Sequence, residues 1–471
     1  MTARRLTRSG GAGRPAAPVR LVHLGMGNFF RAHQAWYTDR APDGGDWGYA
    51  AFAGRGGGVA ALMQEQEGLY SLITRSRRAD DFSVVASVSR AHAAGDHGAW
   101  LDYFASPGLA VVTVTVTEAG YLRASGGGLD VARPGLEADV AALRRDTSAP
   151  VSSAPARLVA GLLARRAADA GPLALVPCDN LPSNGAVLED VIRSLGAMID
   201  PLLDGWITDN VSVVTTVVDR ITPRAGESDV RLVADSTGWA DRCPVVTEPF
   251  HEWVLSGAFP AGRPGWDRSG ARLVADPVPF ENRKLWLLNG AHSLLAYAGS
   301  ILGHVTVPAA AADATCREWV EQWWAVASAH LEQPAGEVAA YRDALVERFS
   351  NTAMADRLDR IAEDGSQKLP VRILPVLRSE RAAGRLPLGA CRVLAAWICH
   401  LRGMGAPVRD ARADEVVPLA RGATAEATRL VLGWMGPDLA ADAELCQAVS
   451  GLCAELAHRC RSPLAGRSRR S

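Results

Sequence analysis

The sequence predicts two domains: an α/β domain built on a mainly parallel sheet, followed by an all-α domain. Three observations carry this. Up to about residue 275, β-branched apolar runs alternate with helical patterns, and the runs are apolar on both faces. Strands of that kind belong in a parallel sheet covered by helices on both sides. Beyond that point strand signals almost vanish and helical periodicity takes over. A chain of 471 residues is also too long for one ordinary core.

Taken in order, "MTARRLTRSGGAGRPAAP" is basic and rich in Gly, Pro and Ala, with no apolar segment. It reads as a disordered leader over 1–18 and not as a secretory signal. "VRLVHLG" is the first strand and "RAHQAWYTDRA" the first helix. "WGYAAFAG", "LAVVTVTVTEAGY", "LALVPCDN" and "VSVVTTVVDRITP" are the later strands. Ligands of such sheets bind beyond the carboxyl ends of the strands. The polar clusters fall there: Gly25 to Arg31, Thr117 to Tyr121, Asp179 with Asn180, and Asp219 to Thr222. This domain spans 19–274. "NRKLWLLNGAHSLLAYAGSILG", "TCREWVEQWWAVASAHLE", "AAYRDALVERFSN", "ACRVLAAWICHLRG" and "TAEATRLVLGWMG" are helices of a second domain over 275–460, and 461–471 is a basic tail.

Bulk composition narrows the function. The chain is 48% hydrophobic and 21% charged, with a formal net charge of −1. That balance gives no support to nucleic acid or an anionic membrane as the main partner, and neither is expected. None of the eight cysteines forms a C-x-x-C pair and H-E-x-x-H is absent. Reduced thiols in a cytoplasmic protein are expected, with no metal. The partner expected is a small molecule, and the assembly a monomer or weak dimer.

"KLWLLNGAHS" (284–293) reads as a buried helix that nevertheless carries Lys284, Asn289 and His292. At about 100° per residue, Asn289 lies roughly 140° and His292 roughly 80° from Lys284. All three then share a little under half of the circumference. A lysine held against apolar neighbours is discouraged from charging and can serve as a general base. On spacing alone the alternative stays open that Lys284 snorkels to solvent and His292 is a satisfied core histidine.

"LVHLGMGNFFRAH" places Gly25 and Gly27 between a strand and a helix, the context of a dinucleotide-binding turn in a Rossmann-like domain. Gly25 would allow the tight turn and Gly27 the close approach of a pyrophosphate. Phe30 stands where a third glycine is usual. Arg31 is a candidate charge near a phosphate. The second strand ends "AGRGGG", with no acid from Gly54 to Gly58 to bind a ribose hydroxyl. Arg55 there either accepts a 2′-phosphate or is a solvated surface residue.

The chain resembles the mannitol dehydrogenase family of long-chain, metal-independent polyol and sugar-acid dehydrogenases. The matching pieces run in the family's order over roughly residues 19–400: "LVHLGMGNFFRAHQA", "TVTEAGY", "CDNLPSNG", "VDRITP", "TEPFHEWV", "KLWLLNGAHSLLAY" and "RFSNTAMADRLDRIAEDGSQKLP". The family's K-x-x-x-x-N-x-x-H signature falls on Lys284, Asn289 and His292, which turns the reading of that helix toward catalysis. The resemblance implies Lys284 as the base, and Asn180 and Asn289 as donors to the alkoxide or carbonyl oxygen. It implies His292 as a binder of substrate hydroxyls, Asp219 as a substrate contact or support for the lysine, and Glu281 as a proton relay to solvent. Arg360 and Lys368 match substrate-binding positions, and Arg372 is a candidate carboxylate binder. Gly25, Gly27, Asn28, Phe29 and Arg31, with Arg55, Thr117 and Glu118, are the candidate contacts to NAD or NADP. The missing acid after the second strand leaves the choice between those cofactors open. Members act on mannitol/fructose, arabinitol, mannitol 1-phosphate and sugar-acid pairs such as mannonate/fructuronate. "DGSQKLPVR" leans toward the sugar acids. A non-catalytic nucleotide or sugar sensor on the same fold is the alternative of another class.

Overall fold

The computed structural model describes residues 3–54, 57–124, 127–354 and 356–461. The chain divides into two compact units, Met1–Val278 and Pro279–Ser471.

The first unit is built on six parallel strands: β1 (Val19–Leu24), β2 (Gly48–Phe52), β3 (Val88–His92), β4 (Val111–Val114), β5 (Leu173–Pro177) and β6 (Val211–Val213). Their order in the sheet is β3-β2-β1-β4-β5-β6. Every residue of β2, β4 and β5 is buried. This is the pattern of strands covered on both faces, and it is why they read as continuous apolar runs. The strand order reverses between β1 and β4, so their carboxyl ends open a crevice suited to a ligand. Helices α1 (Asn28–Ala32) and α2 (Gln34–Arg40) follow β1; α3 (Ala154–Ala167) and α4 (Asn184–Ile199) flank β5.

Two sequence expectations are corrected here. "VSVVTTVVDRITP" is two strands, not one. After β6 the chain steps at Val214 into β7 (Thr215–Asp219), which pairs antiparallel with β8 (Glu252–Ser256) in a separate sheet. The leader is also ordered over its described residues. Arg4–Arg5 pairs parallel with Trp239–Ala240, and Leu6 and Ala12 are buried. The Arg8 guanidinium donates to the carbonyls of Glu67 (2.9 Å), Ala86 (2.8 Å) and Val88 (2.9 Å). The short strand, buried Leu6 and Ala12, and arginines with main-chain acceptors hold this segment, and composition discloses none of them.

The second unit is helical and has no extended strand among its described residues. It opens with α5 (Val278–Arg283), which runs on as a π-helix over Lys284–Gly290, an α-turn over Ala291–Leu294 and a second π stretch over Leu295–Gly299. Then come α6 (Ala314–Ser328), α7 (Ala335–Phe349), α8 (Gly365–Arg372), α9 (Leu388–Leu401) and α10 (Ala443–Arg461). Helix α9 is buried from Gly389 to Leu401 and is the axis of this core. Among the described residues no helix is long and apolar enough to cross a membrane. The eight cysteines are free thiols. The tail from 462 onward lies outside the described residues.

Candidate functional site

The turn after β1 needs glycine at its first position. Gly25 has φ +108, and a Cβ there would lie 2.1 Å from the Thr115 carbonyl oxygen. The turn is tied to both neighbouring strands: Gly25 N–H and Met26 N–H donate to Phe52 O (3.0 and 2.9 Å), and Thr115 Oγ1 donates to Gly25 O (2.8 Å). Gly27 caps α1 and is exposed. Phe30, in the usual slot of a third glycine, is fully buried and stacks on His23 at 3.6 Å. His23 in turn bonds Thr113 Oγ1 (2.8 Å) and Thr115 Oγ1 (3.0 Å). Burial holds this imidazole down at about 3, so it is neutral and serves as a buried prop under the turn. An aromatic stack does here what close helix–strand packing at a glycine does elsewhere.

A cavity of about 1140 Å³ opens over this turn, lined among others by Gly25, Gly27, Gly54, Thr117, Ser152 and Arg157. Among the described residues its wall has no Asp or Glu and two arginines, Arg133 and Arg157. These two were missed in the sequence. They sit far from any motif and reach the cavity only because of the fold, Arg157 in the first turns of α3. A turn bracketed by two glycines, a helix start and two arginines in the wall suit a dinucleotide.

The candidate cofactor contacts divide. Gly25, Gly27 and Thr117 line the cavity; Asn28, Phe29, Arg31 and Glu118 do not. Arg31 is buried and donates to Cys243 O (2.6 Å), Asn28 Oδ1 (2.8 Å) and Gly27 O (3.3 Å). Its guanidinium therefore braces the turn from within the protein instead of facing the cavity. Phe29 stacks on His33 at 4.9 Å. Arg55 lies outside the described residues.

After β5 the chain makes a second tight structure. Asp179 Oδ1 accepts from Leu181 N–H (3.1 Å), Tyr121 Oη donates to Asp179 Oδ2, and Asn184 Nδ2 donates to the carbonyls of Pro177 and Asp179 (both 3.3 Å). Asn180 stands exposed within this clasp. Burial pushes the Asp179 carboxyl up to about 6. Asp219, at the end of β7, is buried.

In the second unit the π-helix changes the geometry read from the sequence. Bonds from residue i to i+5 widen the turn and bring residues five apart toward one side of the helix. Lys284 and Asn289, expected well apart on an ordinary helix, are such a pair. Glu281, Lys284, Asn289 and His292 are half-buried, while Trp286, Leu287, Leu288, Gly290 and Ala291 are buried. The helix thus has one accessible polar face and an apolar back.

Helix α6 holds that back in place. The indole N–H groups of Trp323 and Trp324 donate to Trp286 O and Leu287 O, each at 2.8 Å. A Cβ on Gly290 would meet Trp323 Nε1 at 2.6 Å, so only glycine permits this approach. The His292 ring packs against Phe349 at 4.8 Å. Arg372 Nη1 donates to Ser293 Oγ (3.1 Å) and Asn289 O (3.3 Å), which brings it beside the helix. The Lys368 ammonium donates to Glu363 O and Ile361 O. Burial and the neighbouring Arg372 lower its pKa. Arg360 is exposed, at the end of a short helix over Leu358–Ile361.

Comparison with known proteins follows the same division. Residues 19–268 match the mannitol dehydrogenase Rossmann domain, and residues 276–451 match the mannitol dehydrogenase C-terminal domain. The D-mannonate oxidoreductase of Escherichia coli is 36% identical over 400 residues, covering 82% of this chain and 80% of that protein. The D-arabinitol 4-dehydrogenase of Ralstonia nicotianae is 36% identical over 397 residues, covering 82% and 84%. The solved mannitol 2-dehydrogenase of Pseudomonas fluorescens, a ternary complex with NAD and D-mannitol, superposes with a TM-score of 0.79. It is 30% identical, and the match covers 94% of each chain.

Proposed function

The chain belongs to the mannitol dehydrogenase family, and on that premise we propose how it works as an oxidoreductase of linear polyols or sugar acids. A nicotinamide dinucleotide, when bound, supplies the acceptor or donor of the hydride. Gly25, Gly27 and Thr117 would hold it, with Arg133 and Arg157 at the cationic wall of the same cavity. That wall, with no acid among its described residues, supports tolerance of NADP as well as NAD, since no carboxylate repels a 2′-phosphate.

The observation that supports the catalytic reading is the π turn, which carries Lys284 and Asn289 five residues apart on one widened turn. Lys284 takes the hydroxyl proton in alcohol oxidation and returns it in ketone reduction. Asn289 donates to the oxygen as its charge develops, and Asn180 supplies a second amide donor. His292, steadied by Phe349, orients substrate hydroxyls. Asp219 contacts substrate or supports the lysine. Glu281, one turn before Lys284 on the half-buried face, passes the proton on to solvent. Lys368 and Arg360 serve as substrate contacts. Arg372, fixed beside Asn289, suits a substrate carboxylate and supports a sugar acid of the mannonate/fructuronate type over a neutral polyol.

A screen of polyols, polyol phosphates and sugar acids with NAD and NADP, followed at the nicotinamide absorbance, tests this. Turnover of a sugar acid with either cofactor is the expected result. A chain that binds the dinucleotide yet turns over no member of the panel would overturn the assignment and leave a sensor.

A further inference from the structure

The second unit holds a cluster that the proposed reaction does not use. His304, Asp313 and Cys316 place one imidazole nitrogen, one carboxylate oxygen and one sulfur within 4.8 Å of one another. Each is set by backbone. His304 follows the end of the π stretch: Gly303, at φ +89, closes the helix, and His304 N–H donates to Gly299 O (3.0 Å). Asp313 caps the N-terminus of α6, where its Oδ1 accepts from Cys316 N–H (3.0 Å). Its Oδ2 is left facing His304 Nε2 at 3.5 Å.

That 3.5 Å gap is too long for a good N–H···O hydrogen bond, which spans about 2.7–3.2 Å. It matches the N–O edge of a tetrahedral zinc site, roughly 3.3 Å for metal–ligand bonds of about 2.0–2.1 Å. We propose that His304, Asp313 and Cys316 bind one divalent ion of the zinc class, with water in the fourth position. The donor set selects the ion: sulfur with imidazole favours zinc or cobalt(II), and disfavours magnesium and calcium, which take all-oxygen shells. Access is one-sided. The His304 and Asp313 side chains are 18% and 25% exposed, whereas Cys316 is buried. The Cys316 N–H that holds Asp313 Oδ1 orients the carboxylate as an outer-shell partner would. The Cys316 thiol gives up its proton to solvent as the metal–sulfur bond forms. The sequence hides this site because its spacing, H-x₈-D-x₂-C, matches no familiar metal motif.

Cobalt(II) titration of the full chain, read by optical absorption, tests the site. One equivalent should produce tetrahedral ligand-field bands and a sulfur-to-cobalt charge-transfer band, and zinc should bleach both. Cys316→Ser should lose the charge-transfer band. His304→Gln, at a partly exposed position, should lose tetrahedral binding while keeping the native circular dichroism and turnover. No charge-transfer band in the native chain would overturn the proposal. So would a band that persists in folded Cys316→Ser, since another of the cysteines would then be the ligand.

Discussion

Replacing Gly290 with alanine separates the π turn from an ordinary helix. In an open helix the change stabilises by about 1 kcal/mol, because glycine is the poorer helix former. At Gly290 the new Cβ would sit 2.6 Å from Trp323 Nε1 and 2.9 Å from Cε2 and Cζ2 of the same ring. The backbone that carries the ring is itself closely packed. Across α6, a Cβ on Gly389 would meet Trp323 Cα at 2.8 Å, so α9 already abuts that backbone. Overpacking of this kind costs about 1–3 kcal/mol, and a displaced indole loosens a hydrogen bond worth about 1 kcal/mol. Against the propensity gain, Gly290→Ala should lose a net 1–3 kcal/mol or so in urea unfolding. Gly451→Ala is the control. That glycine lies in α10, and a methyl added to it would meet nothing within 4 Å; the change should stabilise by about 1 kcal/mol. Turnover of Gly290→Ala, measured well below its unfolding transition, should also fall, because Asn289 is the adjacent residue. A Gly290→Ala protein as stable as Gly451→Ala, with native turnover, would refute the packing argument and the role given to the turn.

Lys284→Ala should cut turnover by roughly two to four orders of magnitude, leave dinucleotide binding nearly unchanged, and recover partly with small amines; near-normal turnover would place the base elsewhere. Asn289→Ala should cost turnover by about 2.7–4 kcal/mol, the scale of one oxyanion donor, with no rescue by amines. Asp179 holds its proton more tightly when folded, its carboxyl raised from the ordinary 3.8 to about 6. It therefore favours the native state fully below about pH 3.8, and that contribution is lost as pH rises through about 6. Asp179→Asn, which keeps an acceptor for Leu181 N–H, should stabilise the chain in urea at pH 8 by on the order of 2 kcal/mol and hardly at all at pH 4. An equal effect at both pH values would show that the charge is not the cause. Prolonged chelation should leave turnover intact; loss restored by zinc would contradict a reaction run by Lys284.

The sheet was legible because burial on both faces leaves a direct trace, an unbroken apolar run. That same property hid the break at Val214, where β6 and β7 join different sheets: two apolar strands in succession look like one. Charge was the least legible feature. The arginines of the leader suggested a solvated tail, yet Arg8 is spent on main-chain carbonyls. Arg31 suggested a phosphate contact, yet its nitrogens brace the turn from inside. A guanidinium offers five donors, and sequence does not say whether carbonyls or a ligand will accept from them.

The residues that do chemistry and the residues that aim them are legible to different degrees. Lys284, Asn289 and His292 announce themselves because polar groups in an apolar helix need a reason. Their relative angle does not, because hydropathy assigns every helix the same period. Here the turn is held by groups well separated in the chain: Trp323 and Trp324 donate to it from 37 residues away, Gly290 makes room for the Trp323 ring, and Gly389 lets α9 approach the backbone of α6. Each of these four residues has an ordinary local reading, as an aromatic in a core or a glycine in a helix. Only together do they show how closely α6 and α9 pack behind the wide turn. The alignment of base and amide therefore depends on α6 and α9 as much as on the helix that carries them.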